Sequence, residues 1–536
     1  MRFLLCRTNI RSVPWLWGLA VAVLLTGGMV FADFSIVDDH REALWLGSNG
    51  SLPFSRIWPY LLETEVGSLG SGGRFRPIFI LYLELEAWLL GDRPGLYHAL
   101  RVLYFGLFLG AAGRIAVRCI GLLPALAMVI GIAGLGFWSN LWTLSFGPAE
   151  QLAILGISLV LIACDAIVPR LVSGERIPGW ALPVASFGTA IAAGSKENFI
   201  FLLVALGPLA LAMAAMRRLR LVSAILALPP LIVPVLVIYS LRSAARNSRD
   251  LYGVDNSIIH RLAELVALPQ LLAQPFFVPF ALAAAVLAVP LSLLAYRRSP
   301  LPRQQRNWAI LVFLGFTGFL ALYVLWELFF YNGRLPSDIR YDFPILLLPP
   351  SIALGFAAFI RYALLPGGGR RWHYVQLAFL ALMVLYLPHF HLTFSLPKEV
   401  KIAVARTTAF RHDFSVLRTV AAVHPDWPII LEPNSPWDYE VVTSFNVWQR
   451  FFKSTNPLLL RVEIAPKDIN GKFEQWLTDQ MQILGTMGLT GKLQALPDPT
   501  SLARLDGHCF GVGYWRPIVS PCVPLDFRPE RYIPHG

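Results

Sequence analysis

The chain has 536 residues, of which 56% are hydrophobic and only 15% charged, and its mean hydropathy is +0.58. A soluble globular protein carries about 25% charged residues, so the composition excludes one and points to a chain that crosses a membrane many times. The net charge of +12 does not indicate nucleic acid, because many of the basic residues fall in short loops between apolar runs, as the positive-inside rule expects.

Arg2, Arg7 and Arg11 precede the apolar run from Val13 to Ala32. This run is long for a signal peptide and has no convincing cleavage site, so it reads as an uncleaved first span with its N-terminus in the cytoplasm. Asp33 to Tyr97 is then a large external loop. Within it, Pro77 to Leu90 is apolar but too short to span, and it contains Glu84 and Glu86. A helix lying along the membrane surface is expected there.

Further spans are expected over His98–Ala116, Leu122–Trp138, Glu150–Val168, Trp180–Ala193, Phe199–Met216, Leu221–Tyr239, Pro275–Tyr296, Trp308–Phe330, Phe343–Leu365 and Tyr374–Phe394. With the first, that makes about eleven. Pro229, Pro230 and Pro234 predict that Leu221–Tyr239 is kinked and faces protein, since neighbouring helices must satisfy the freed backbone. Every loop assigned to the inside carries arginine and almost no acid beyond Glu175, whereas the external loops hold most of the carboxylates. That asymmetry supports the assigned topology.

After Leu396 polar residues rise and lysines become regular. Trp427–Glu432 reads as a strand entering a turn at Pro433–Pro436, Lys472–Leu484 as a helix and Gly511–Trp515 as a strand. The fold class is therefore an α-helical polytopic membrane protein: a transmembrane module over residues 1–395 and a small external α/β domain over 396–536. That domain has an ordinary size and no glycine-rich nucleotide-binding loop. Cys509 and Cys522 stand apart in it, where a disulfide is possible. Cys6, Cys119 and Cys164 lie in or near spans and read as inert.

Among ionisable residues, Asp38 and Asp39 come first, in the unbroken run Asp38-Asp39-His40-Arg41-Glu42. Adjacent carboxylates beside a bilayer suit general-base work or metal binding, although juxtamembrane acids can also simply mark the external face. Arg74 and Arg76 flank Phe75 before Pro77. Arginine forks match phosphate oxygens, and interfacial anchoring is the plainer alternative. His98 begins a span, where capping or an interfacial position explains it. Glu150 opens another, where the helix dipole explains it.

Lys196 is the only lysine before Lys398, and with Glu197 it occupies a tight external turn. A salt bridge within the hairpin and a cation for lipid phosphate are both open readings. Arg334, Arg340 and Tyr341 fall in another external loop, where arginine runs against the positive-inside trend and where Asp338 or Asp342 offers a local ion pair.

A first span, then Asp38-Asp39-His40, Arg76-Pro77, Tyr97-His98, Ser195-Lys196-Glu197 and Arg340-Tyr341 before a late span, resembles the GT-C superfamily of integral-membrane glycosyltransferases that use polyprenyl-phosphate sugars. The likeness is to its protein-mannosyltransferase-like and aminoarabinose-transferase-like branch and covers roughly residues 1–395. It implies a polyprenyl-phosphate-linked sugar donor and a glycan, lipid or protein acceptor. The catalytic base would be Asp38 or Asp39, and the Lys196 turn and Arg340 would hold donor phosphate. A divalent cation serves some branches, but Glu63, Glu65, Glu84, Glu86 and Asp92 form no clear second acidic motif.

A lipid-linked saccharide transporter is the first rival, and it predicts mid-span charges or repeated halves. A non-catalytic polysaccharide-assembly protein is the second. The low-lysine, Arg/Ala/Leu-rich composition suggests a bacterial cytoplasmic membrane with a periplasmic active face.

Overall fold

The computed structural model describes residues 4–37, 39–66, 69, 75–215, 220–244, 277–330, 340–365, 369–386, 395–432, 439–460, 493–495, 505–513 and 521–533. Asp38, Arg74 and Arg334 lie outside these ranges, as do the turn expected at 433–436 and the helix expected over 472–484.

Among the described residues, eight helical stretches are long and apolar enough to cross a membrane: Ser12–Phe31, Pro94–Ile120, Glu150–Ser173, Glu197–Ala214, Leu221–Ser243, Ala281–Arg298, Arg303–Glu327 and Ile345–Leu364. The expected third and fifth spans are shorter apolar helices, Leu122–Ala133 and Ala181–Ser195. The third stops early because Gly134 and Gly136 interrupt it, and glycine has a high conformational-entropy cost in a helix. The region of the expected eleventh holds Gly369–Tyr386, whose first residues include Arg370 and Arg371.

The N-terminal helices are α1 (Leu4–Thr26), α2 (His40–Leu46), α3 (Phe54–Leu61), α4 (Pro77–Leu90), α5 (Pro94–Ile120), α6 (Leu122–Ala133), α7 (Phe137–Trp142), α8 (Glu150–Ser173) and α9 (Ala181–Ser195). They are followed by α10 (Leu202–Ala215), α11 (Leu221–Ala227), α12 (Ile232–Ala244), α13 (Phe277–Arg298), α14 (Arg303–Phe330), α15 (Leu348–Phe359) and α16 (Gly369–Tyr386). Helix α4 has the bounds expected from sequence, but both of its glutamates are buried in the protein.

Without a water-driven hydrophobic effect between spans, small residues set how closely helices approach. A methyl group on Gly18 of α1 would lie 2.4 Å from the backbone nitrogen of Gly110 on α5. One on Gly188 of α9 would lie 2.5 Å from the carbonyl oxygen of Gly156 on α8. The proline-bearing span does bend: α11 and α12 are joined by a 3-10 turn at Pro229–Leu231. One side of it packs on α9, where Ser186 Oγ donates to the Ala227 carbonyl at 2.6 Å and Ala227 and Val237 are buried. The other side, with Leu221, Val222, Leu226, Leu228 and Ile232, is apolar and exposed.

Beyond these helices, α17 (Leu396–Ala421) leads into a five-stranded sheet built from β1 (Ile429–Glu432), β2 (Leu458–Leu460), β3 (Leu493–Ala495), β4 (Phe510–Gly513) and β5 (Val523–Pro524), with α18 (Tyr439–Phe451) following β1. The order is β3-β2-β1-β4-β5, and every pairing is parallel, with Ile429 opposite both Leu458 and Phe510. A central parallel strand is covered on both faces, and Ile429, Ile430 and Leu431 are buried accordingly. The disulfide Cys509–Cys522 forms beside the paired strands β4 and β5.

Composition divides the chain at Leu396, where α17 begins. In space the segment that follows α1 belongs with the sheet, because Phe34, Ile36 and Trp45 share one core with Phe410, Phe445, Trp448 and Phe510. The Trp448 indole donates to the Ile36 carbonyl at 3.0 Å.

The α8–α9 crossing gives a direct test. Gly188→Ala puts a methyl into the facing backbone and should lower the melting temperature of the detergent-solubilised protein, an overpacking cost of about 1–3 kcal/mol. Gly207→Ala, with nothing within 4 Å of the added methyl, should leave it unchanged or raised.

Candidate functional site

Helix α9 ends at Ser195, where Lys196 turns extended (φ −145°, ψ 133°) before a 3-10 turn over Glu197–Phe201. The close α8–α9 crossing carries this turn to the start of α8. There, Lys196 Nζ donates to the Glu150 carboxylate, and both side chains are buried. The α8 dipole also favours an acid at that position.

Glu197 receives the Arg76 guanidinium as a fork, with Nε at 3.1 and 3.2 Å from the two carboxylate oxygens and Nη2 at 3.2 Å from one of them. Arg76 is in place because it precedes α4, and α4 begins against the end of α9: a methyl on Gly194 would touch Ile78. The Arg76 amide donates to Glu65 at 2.8 Å. From a fourth segment, the Tyr341 ring centroid lies 4.6 Å from Lys196 Nζ and 5.4 Å from the Arg340 guanidinium carbon, and the charges of Lys196 and Arg340 both act on Glu150.

Arg76, Glu150, Lys196, Glu197, Arg340 and Tyr341, drawn from four separated stretches of sequence, therefore form one charged network. The ion pairs cross between elements, so the pairing within the hairpin considered for Lys196 and Glu197 gives way to Lys196–Glu150 and Arg76–Glu197. Asn198 continues the network inward. Its amide donates to both Glu327 oxygens (2.9 and 3.2 Å), and its carbonyl accepts from the Trp326 indole at 2.8 Å.

The first-loop residues form a second group. Asp39 is buried, and its carboxylate accepts the amides of Ser35 and Phe146, each at 2.6 Å. It fastens the loop to the segment between α7 and α8. His40 Nδ1 is 3.0 Å from Ser444 Oγ on α18. His98 is neither a cap nor interfacial: α5 starts at Pro94, and the imidazole is buried with its centroid 4.4 Å from that of Phe146.

The same ring of Phe146 lies 4.8 Å from the guanidinium of Arg101, a residue sequence reasoning missed. Arg101 pairs with Glu86 and donates to Gln151 at 3.2 Å. Its signal was available, since a charge inside a span marks a candidate functional position. Glu150 and Gln151, the first residues of α8, join the two groups.

Sequence reasoning also left the remaining loop acids unassigned. Glu42 and Glu84 are fully buried, and no carboxyl oxygen of either reaches a hydrogen-bond partner on another of the described residues. Burial pushes Glu42 up to about 7, offset in part by its own backbone amide and by Arg41 and Arg101. Burial, with a contribution from Glu65, pushes Glu84 up to about 8. Glu65 is raised for the same first reason. The described residues do not supply a metal set: no three His, Cys, Asp or Glu side chains among them come together in a way that could hold an ion.

No protein-family model, curated protein or solved structure matches the chain.

Glu42 and Glu84 bind a proton more tightly folded than at the ordinary carboxylate value of 4.5. Their contribution to stability is full below that value and is lost as pH rises through about 7 to 8. Melting temperature should therefore fall across this range, and the Glu42→Gln, Glu84→Gln double variant should flatten the slope. An unchanged slope would rule out these groups as its source.

Proposed function

We propose that the chain is a membrane glycosyltransferase that moves a sugar from a polyprenyl-phosphate donor to an acceptor hydroxyl on the external face. The observation that carries this reading is the meeting of Arg76, Lys196 and Arg340, three cations from separated stretches of the chain, at the ends of apolar helices. A lipid phosphate is the anion that reaches such a position from the bilayer, and arginine forks and lysine both suit it.

The chemistry follows from the layout. A carboxylate of the first loop takes the proton of the acceptor hydroxyl. The acceptor oxygen attacks the anomeric carbon, and the bond from that carbon to the phosphate oxygen breaks. Its electron pair leaves on the polyprenyl phosphate, held by Lys196, Arg76 and Arg340, a preorganised cluster that stabilises charge as it develops. Direct displacement inverts the anomeric centre. Asp39 already accepts two backbone amides, so the base role falls first on Asp38. The family resemblance of the residue order and the external acidic run support the same assignment. A bacterial cytoplasmic membrane, with the N-terminus inside and the sheet domain periplasmic, is part of the proposal.

Mass spectrometry of lipid co-purified with the protein should recover a polyprenyl phosphate or its glycoside. With that donor, Asp38→Asn should cut transfer by about 100-fold or more while melting is unchanged. Asp39→Asn should lower melting as well, because it weakens a buried acceptor of two amides. Full transfer by both aspartate variants would sink the catalytic reading, and loss of transfer in Asp39→Asn alone at unchanged melting would move the base to Asp39.

A further inference from the structure

Helix α3 carries two apolar stripes. Ile57 and Leu61, one turn apart, are buried in the core shared with the sheet. Phe54, Trp58 and Leu62, spaced by four in the same way, are exposed, Phe54 and Trp58 each at 63%. Residues at that spacing form one continuous face of a helix. The exposed stripe runs on through the next turn to Val66, and the last turn of α4 widens it with Trp88 and Leu89, both exposed. The Trp88 and Phe54 ring centroids are 4.9 Å apart. Sequence alone placed α4 at a membrane surface; in the structure only its last turn is fully exposed, and α3 supplies most of the face. Neither helix is long enough to span. Single exposed apolar residues need no explanation, but a contiguous aromatic patch marks an interaction surface.

The patch starts where two spans end. Gly95, at the start of α5, packs so closely on α1's end that an added methyl would lie 2.4 Å from the Val30 carbonyl oxygen. Asp92, in the link between α4 and α5, donates its amide to the Gly50 carbonyl at 3.0 Å, which holds the approach to α3 at the same place. On α5 itself Leu96 and, two turns on, Leu103 are exposed, and a spanning helix turns such a face to lipid. Across the short link, Trp88 and Leu89 therefore continue into the lipid-facing side of a span.

We infer that the exposed face of α3 and the last turn of α4 lies in the bilayer interface, so that the partner it fits is a lipid surface. This mooring requires only that α1 and α5 span a membrane, whatever reaction follows. Tryptophan is enriched at the interface because its ring is apolar and its N–H is polar. Arg56 and Arg93, exposed beside the patch in sequence, are long enough to reach headgroups while their stems lie on apolar surface. A partner protein is a poorer occupant, because to cover the continuous surface it would also have to enter the bilayer over Leu96 and Leu103. The segment after α1, which shares its core with α3, is thereby held at a fixed height above the lipid.

The test is site-directed spin labelling of the full-length protein in liposomes, with Cys6, Cys119 and Cys164 replaced by serine and the Cys509–Cys522 disulfide kept. Labels go on W58C and L89C, with L103C on the span and V423C, exposed just past the far end of α17, as references. Oxygen, which partitions into lipid, should relax the W58C and L89C labels more strongly than a water-soluble nickel complex does, as at L103C, whereas the order should reverse at V423C. The labels should lie about 5–10 Å into the boundary between headgroups and acyl chains. All four side chains are exposed, so melting should be unchanged, and L89C carries the comparison from a different helix should W58C fail to fold. Nickel-dominated relaxation at both positions would overturn the inference. Shielding from both reagents would overturn it as well: spin–spin broadening that vanishes on dilution with unlabelled protein would identify a second copy as the cover, and its absence a segment of the same chain. Nickel-dominated relaxation at L103C would overturn the assignment of α5 as a span, and the inference with it.

Discussion

The ion pair between Lys196 and Glu150 is the constraint on which this end of the helical bundle depends. Two buried charges lose their hydration, and only close, well-directed pairing offsets that loss. The pair forms because α8 and α9 cross at Gly156 and Gly188 with no side chain between them, which brings the end of one helix over the start of the other. The same turn presents Glu197 to Arg76 and, through Asn198, reaches Glu327. Breaking one member leaves its partner buried and uncompensated, so the network behaves as one unit.

The charged groups divide into two kinds. Around Lys196, Glu150 and Glu197 are each answered by a base from another element. The first loop includes Glu42 and Glu84, whose buried carboxyl oxygens meet no hydrogen-bond partner on another of the described residues. Paired cations provide a fixed field for an anion, whereas unpaired acids in an apolar setting hold their protons and act as hydrogen-bonding groups.

Much of this arrangement could be read in the residues, for identifiable reasons. Apolar runs show themselves because a bilayer demands length and hydrophobicity, and Lys196 stood out because lysine is otherwise absent from that part of the chain. The bounds of α4 and the core of β1 followed from local pattern. Pairing did not, since nothing local to Glu197 indicates Arg76, 121 positions away. Asp39 looked like a reactive acid because its sequence neighbours are ionisable, but its partners are backbone amides, one of them 107 residues distant. The proline-rich span was expected to find protein neighbours for its freed backbone groups, and the Ala227 carbonyl does accept the Ser186 hydroxyl of α9.

The shared core of the first loop and the sheet has a consequence for how the molecule is made. Ile36 emerges early in synthesis, yet the indole that bonds its carbonyl belongs to Trp448, 412 positions later. Contacts of such separation form late, because loop-closure entropy opposes them until both ends are present. The loop therefore keeps its apolar side chains uncovered until the intervening helices and the sheet have been made. The sheet thus completes the fold of a segment synthesised long before it.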